Sequence, residues 1–191
     1  MINYIISPGY TNSGPDHWQT HIETRLTNVV RVSQRDWLNV QREQWIDGVQ
    51  RAVSAVPAED PVILIGHSCG SNAIAQWAVE NPDNAHISHI ILVAPADCIS
   101  ADVPPAIRGQ GRLPDCPLPY PTTLVRSDED PFLPDPIGKK LSSSWRVVAE
   151  HVVHGGGHLA SSDGYGRWPW MEQLISSITR DASQIGTIKY G

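Results

Sequence analysis

The sequence predicts an α/β protein: a three-layer α/β/α sandwich built on about six parallel strands. Three observations predict it. Short β-branched and Leu-rich runs alternate with longer stretches of helical periodicity. The central run, Val62–Ile65, is apolar without alternation, as in a strand buried on both faces. The runs are separated by helix-length segments, which right-handed crossovers between parallel strands require. At 191 residues the chain fits one domain spanning 1–191, large enough to bury a core without disulfides or a metal.

In chain order, Ile2–Ile6 reads as a strand and Asp16–Leu26 as a helix, with Asp16 or Asn12 as its N-cap. Val29–Val32 is a second strand. Val40–Val56 is a helix because Trp45, Val49, Ala52, Val53 and Val56 recur at helical spacing, and Pro57 and Pro61 close it. Val62–Ile65 is the third strand and Gly70–Val79 the helix after it, stopped before Pro82. Ile87–Val93 and Thr122–Val125 are strands, Pro136–Leu141 a short helix, Arg146–Val153 the sixth strand and Trp168–Arg180 the last helix. The Pro-rich stretch Ala96–Pro121 is too long for a plain connection and reads either as a pocket wall or lid, or as a surface excursion.

Composition narrows the function classes. Fourteen basic against twenty acidic residues give a net charge of −6 with no basic block, which leaves no footprint for nucleic acid or an anionic membrane. Three cysteines (Cys69, Cys98 and Cys116) are too few and uneven for a disulfide framework and suit a reducing compartment. The N-terminus lacks the basic and long apolar regions of a signal peptide, and no apolar run reaches membrane-spanning length. A cytoplasmic protein acting on a small molecule is the expectation.

Chemistry concentrates at Val62–Ser71, where a strand runs into Gly66-His67-Ser68-Cys69-Gly70 and then a helix. Such a G-x-S-x-G turn holds its serine in a strained conformation above the sheet edge, and the glycines let neighbouring backbone approach. Ser68 is the candidate nucleophile; the alternative is a serine that merely caps the helix. The amide of Cys69 opens that helix without an intrahelical partner and is a candidate oxyanion donor. The Cys69 thiol is a rival nucleophile on paper, but its position after the serine turns it away from the pocket. His67 precedes the serine and reads as a packing or supporting residue.

A base and its orienting carboxylate should follow later in the chain, each at the C-terminal end of a strand. After the sixth strand stands His154-Gly155-Gly156-Gly157-His158. The glycine run lets the loop curl over the sheet edge, making His158 the candidate base and His154 its rival. After the fifth strand, Asp128, Glu129 and Asp130 crowd one loop, and spacing alone does not decide among them. Pro131 and Pro134 stiffen the segment after Asp130, which favours it over Asp128; Asp97 is a third candidate. The loop after the first strand, Ser7-Pro8-Gly9-Tyr10, offers the Tyr10 amide as a second oxyanion donor.

At these residues the chain resembles the small α/β-hydrolases of the retinoblastoma-binding serine hydrolase family and their bacterial relatives. The resemblance covers nearly the whole chain. It rests on Pro8-Gly9, His17-Trp18-Gln19, the elbow Gly66–Gly70, Asp130–Pro134, Gly157-His158 and Gly164-Tyr165-Gly166-Arg167-Trp168-Pro169. It implies a minimal α/β-hydrolase fold with no large cap domain. It places Ser68, Asp130 and His158 as a catalytic triad, strengthening Asp130 over Asp128.

Other constellations carry less. His151, His154 and His158 lack a spaced acidic partner, so no metal is expected, and no cofactor motif is present. His17, Trp18 and Trp168 are candidates for the pocket wall, with core packing as the bland alternative. The expected reaction is cleavage of a small ester, thioester or activated amide through an acyl-enzyme on Ser68. The rivals are a binding module on the same fold and an acyltransferase or peptidase.

Overall fold

A computed structural model describes residues 1–188, with side-chain surroundings through residue 183. One six-stranded, fully parallel sheet organises it. The strands are β1 (Asn3–Ser7), β2 (Val29–Arg31), β3 (Val62–His67), β4 (Ile87–Val93), β5 (Thr122–Ser127) and β6 (Ala149–Val153), in spatial order β2-β1-β3-β4-β5-β6. The helices are α1 (Trp18–Glu23), α2 (Arg42–Ser54), α3 (Cys69–Glu80), α4 (Asp135–Trp145) and α5 (Pro169–Ile188).

Burial on both faces explains the apolar strands. Ile5, Leu64, Ile90 and Leu124 turn to one face and pack with Trp45 and Val49 of α2, Ala73 and Ile74 of α3, and Leu141 and Trp145 of α4. Ile6, Ile63, Ile65 and Val93 turn to the other, against Trp18 and Ile22 of α1 and Met171 and Ile175 of α5. All six residues of β3 are buried, as its unalternating sequence requires. This is the three-layer α/β-hydrolase architecture, with no large cap. Strand order reverses at β1, so the loops leaving β1 and β3 diverge and leave a crevice at the carboxyl edge, where open α/β sheets bind ligands.

Several boundaries differ from the sequence reading. Helix α1 starts at Trp18, and its N-cap is His17 rather than Asp16 or Asn12: His17 Nδ1 accepts the Gln19 amide at 3.2 Å. Helix α4 runs on through Ser142–Ser144 because Leu141 and Trp145 bury its inner face. Arg146 then ends it in the left-handed region (φ 52°, ψ 49°), so β6 begins at Ala149, not Arg146. The Ala96–Pro121 stretch is docked on α3: Asn72 bonds both the amide and the carbonyl of Ala96, and Gln110 donates to the Cys69 carbonyl at 2.7 Å.

Candidate active site

Ser68 joins β3 to α3 with φ 52° and ψ −126°, a conformation that L-residues rarely adopt. Such strain costs on the order of 1–3 kcal/mol and persists only where the surroundings enforce it. Here they do. A Cβ on Gly70 would lie 2.0 Å from the Ser7 carbonyl oxygen, so only glycine lets α3 start this close to the end of β1. Across the same crevice, a Cβ on Gly9 would lie 2.9 Å from Ser68 Cβ. The β1 loop therefore rides directly over the serine. The amides of Tyr10 and Cys69 have no acceptor among the described residues, and they flank the two segments that meet at Ser68.

His158 reaches Ser68 from the loop after β6. Its Nε2 lies 2.8 Å from Ser68 Oγ, and its Nδ1 lies 2.9 Å from each carboxylate oxygen of Asp130. The Asp130 side chain is fully buried, and its Oδ1 also accepts the Phe132 amide at 2.8 Å. A carboxylate only accepts, so it fixes the imidazole proton on Nδ1 and leaves Nε2 free to take the serine proton. The loop needs its glycines: Gly157 has φ 58°, and a Cβ there would meet Asp163 Cγ at 2.7 Å. Asp163 Oδ2 in turn accepts the His158 and Ala160 amides, each at 3.1 Å.

The rivals fall elsewhere. His154 Nδ1 pairs with Asp128 Oδ2 at 2.6 Å on the surface, away from Ser68. Asp97 is tied through its backbone amide to Phe132 O, and the Cys69 side chain is buried in the core. Among the described residues no cluster of metal-ligating side chains occurs.

Ser68 and His158 open into a cavity of about 260 Å³. Tyr10 and His17 line it, as do Pro104 and Ile107 from the long docked stretch, which thus serves as a pocket wall. Trp18 and Trp168, expected on the wall, are not there. Trp18 is completely buried beneath the site, its Nε1 donating to Leu159 O at 3.1 Å. Trp168 faces a separate depression beside β6, with Tyr165 and Trp170. Phe132 and Asp163 were missed from sequence. Phe132 sets its ring edge-on to His158 with centroids 4.8 Å apart, and its place in Asp130-Pro131-Phe132 was the available signal. Asp163 offered none, because its role depends on the path of the glycine loop.

Three further imidazoles deserve their ionisation states. Burial, then Arg31 and His158, lowers His17 to about 4. Burial, then His158 and His17, holds His67 well below the usual histidine range. Burial likewise lowers His89, on β4, to about 4.

A strained serine at a strand–helix elbow, facing an imidazole oriented by a buried carboxylate on a parallel sheet, defines the class of serine hydrolases with the α/β-hydrolase fold. The sequence profile described as serine hydrolase matches residues 4–177, and the chain belongs to that family. Among solved structures it is similar to a YdeN-like hydrolase from Pectobacterium atrosepticum: 26% identical, covering 95% of this chain and 92% of that one, with a TM-score of 0.82. It is also similar to the ydeN gene product of Bacillus subtilis (20% identical, 94% and 98% covered, TM-score 0.73). A carboxylesterase from Bacillus subtilis shares the fold at 12% identity, with 93% and 83% covered and a TM-score of 0.64. No curated protein matches the chain significantly in sequence.

Proposed function

We propose that this hydrolase cleaves small carboxylic esters, thioesters or activated amides through an acyl-enzyme on Ser68. One observation carries the reading: the unbroken hydrogen-bonded series from Ser68 Oγ through His158 to the buried Asp130. As Ser68 Oγ attacks the carbonyl carbon, its proton passes to His158 Nε2, and Asp130 stabilises the imidazolium. The Tyr10 and Cys69 amides receive the oxyanion; loss of one such donor typically costs about 10²–10³ in turnover. Collapse breaks the bond to the leaving group, which takes the proton from His158. Water then attacks the acyl-serine, gives its proton to His158, and the acid departs as Ser68 is reprotonated.

The small cavity, with no Asp, Glu, Lys or Arg among the described residues of its wall, supports a small uncharged acyl group. In this reading residues 1–191 act as one domain on a small-molecule substrate in the cytoplasm, and the motifs shared with the retinoblastoma-binding serine hydrolases reflect kinship. A fluorophosphonate probe tests it. Wild-type protein labels at Ser68 and turns over short p-nitrophenyl esters, while Ser68→Ala folds normally and does neither. A wild-type protein that stays unlabelled and inert would instead be a binding module.

A further inference from the structure

Two sequence motifs, the histidine of Gly66-His67-Ser68 and the tryptophan of His17-Trp18-Gln19, have no role in the reaction as written. Their side chains nevertheless end on consecutive carbonyls of one loop. His67 Nε2 lies 2.9 Å from the His158 carbonyl oxygen, and Trp18 Nε1 donates to the Leu159 carbonyl at 3.1 Å. A carbonyl only accepts, so His67 presents its proton on Nε2. Each donor is itself fixed. The His67 ring is wedged between those of His17 (centroids 4.7 Å) and His158 (5.1 Å), with Trp18 edge-on at 5.9 Å. Leu159, held by Trp18, has φ 54°, a strained conformation that only outside contacts maintain. His67 is also the residue before Ser68, so its bond ties the nucleophile's segment directly to that of the base.

We propose that His67 and Trp18 are positioning residues for His158, which clamp its main chain so that Nε2 stays in line with Ser68 Oγ. The inference rests on the reading of Ser68 and His158 given above. Small misplacement of a base slows chemistry without weakening substrate binding, because the ground-state contacts are untouched.

The test measures kcat, KM and the rate of fluorophosphonate labelling at Ser68 for four proteins of confirmed thermal midpoint: wild type, His67→Phe, His67→Gln and Trp18→Phe. His67→Phe keeps a ring and removes the donor; His67→Gln restores a donor near the position of Nε2; Trp18→Phe keeps an aromatic ring but removes the indole N–H together with part of the buried ring system, so its loss is read beside its thermal midpoint. The expected result is a loss of about tenfold in kcat and in labelling rate for each Phe variant, with KM within about twofold. His67→Gln should recover most of the loss. Folded Phe variants with wild-type kcat overturn the proposal, as does a His67→Gln variant as slow as His67→Phe, which would assign the effect to packing. Absence of labelling in the wild type would instead sink the underlying assignment of Ser68.

Discussion

Two carboxylate–imidazole pairs bridge the same two loops, and they differ in nearly everything except sequence spacing. Asp130–His158 and Asp128–His154 both join the loop after β5 to the loop after β6. The outer pair is the shorter, 2.6 Å against 2.9 Å. By contact distance alone it would rank first. Burial reverses the order: His154 is 85% exposed and Asp128 31%, whereas His158 is 11% exposed and Asp130 wholly buried. The outer carboxylate is held below its usual range by hydrogen bonds from His154 and the Gly155 amide, and among the described residues the His154 ring bonds no hydroxyl. The inner imidazole has a serine at its other nitrogen. A third partner and a dry carboxylate, rather than a close ion pair, separate a reactive pair from a loop clasp.

The largest effect that can break this comparison comes from the two imidazoles. His158→Ala should lower kcat/KM by about 10⁴-fold or more, while His154→Ala should stay within about twofold of wild type. Steady-state hydrolysis of p-nitrophenyl acetate reads both. Equal losses would mean that the outer pair shares in the chemistry. The carboxylates follow in size. Asp130→Asn should cost about 10³–10⁴-fold, because an amide can stabilise the wrong imidazole tautomer and cannot balance an imidazolium. Asp128→Asn should leave turnover nearly unchanged. Substantial loss there, with Asp130→Asn mild, would exchange their roles.

Why the sequence separated these pairs only in part is a physical matter. The strand cores were legible because Val62–Ile65 of β3 and Ile90–Val93 of β4 are fully buried and consist only of β-branched residues and leucine. The elbow was legible because strain and close approach demand glycine and serine at fixed positions. Asp128 and Asp130 were harder, since both lie on one short loop, and only the stiffening prolines and the wider motif favoured the second. The pocket wall was least legible. Trp18 sits under the site and Trp168 beside it, because aromatic residues near a catalytic motif in sequence serve the core as readily as the cavity. His17 as a cap, and Asp163 as a support for His158, depend on loop paths fixed by contacts far apart in the chain.

Between the two pairs lies Ser127, fully buried, whose hydroxyl accepts the Glu129 amide at 3.1 Å and the Gly156 amide at 3.0 Å. It joins the bases of both loops, so it should matter to the inner pair more than to the outer. Ser127→Ala leaves the buried Gly156 amide without its acceptor, at a cost of about 1–3 kcal/mol in stability. Turnover should fall modestly, by about three- to tenfold, through slackening of the Asp130–His158 geometry. Urea unfolding and kcat together check this. A stable variant of full activity would show that the loops hold their register without the hydroxyl.

The smallest effect extends the contrast between buried and exposed imidazoles to stability. His17 and His89 are held to about 4 and His67 is also lowered, each chiefly by burial, so the folded protein keeps them neutral through mildly acidic pH. The unfolded chain protonates the same groups near pH 6.5. Below that value the unfolded state binds more protons than the folded one. Stability is therefore full above about pH 6.5 and declines as pH falls toward 4, each such histidine contributing at most about 1.4 kcal/mol per pH unit within the window. His89 isolates the effect, because it lies on β4 with its Nε2 2.9 Å from Thr123 Oγ1 and has no contact with the serine. His89→Gln keeps a hydrogen-bonding group toward Thr123 and removes one proton-binding site from the unfolded state. The dependence of the urea midpoint on pH should flatten by one histidine's share between pH 6.5 and 4. An unchanged slope would show that His89 takes up its proton as readily in the folded sheet as in the open chain, and that burial does not govern its ionisation.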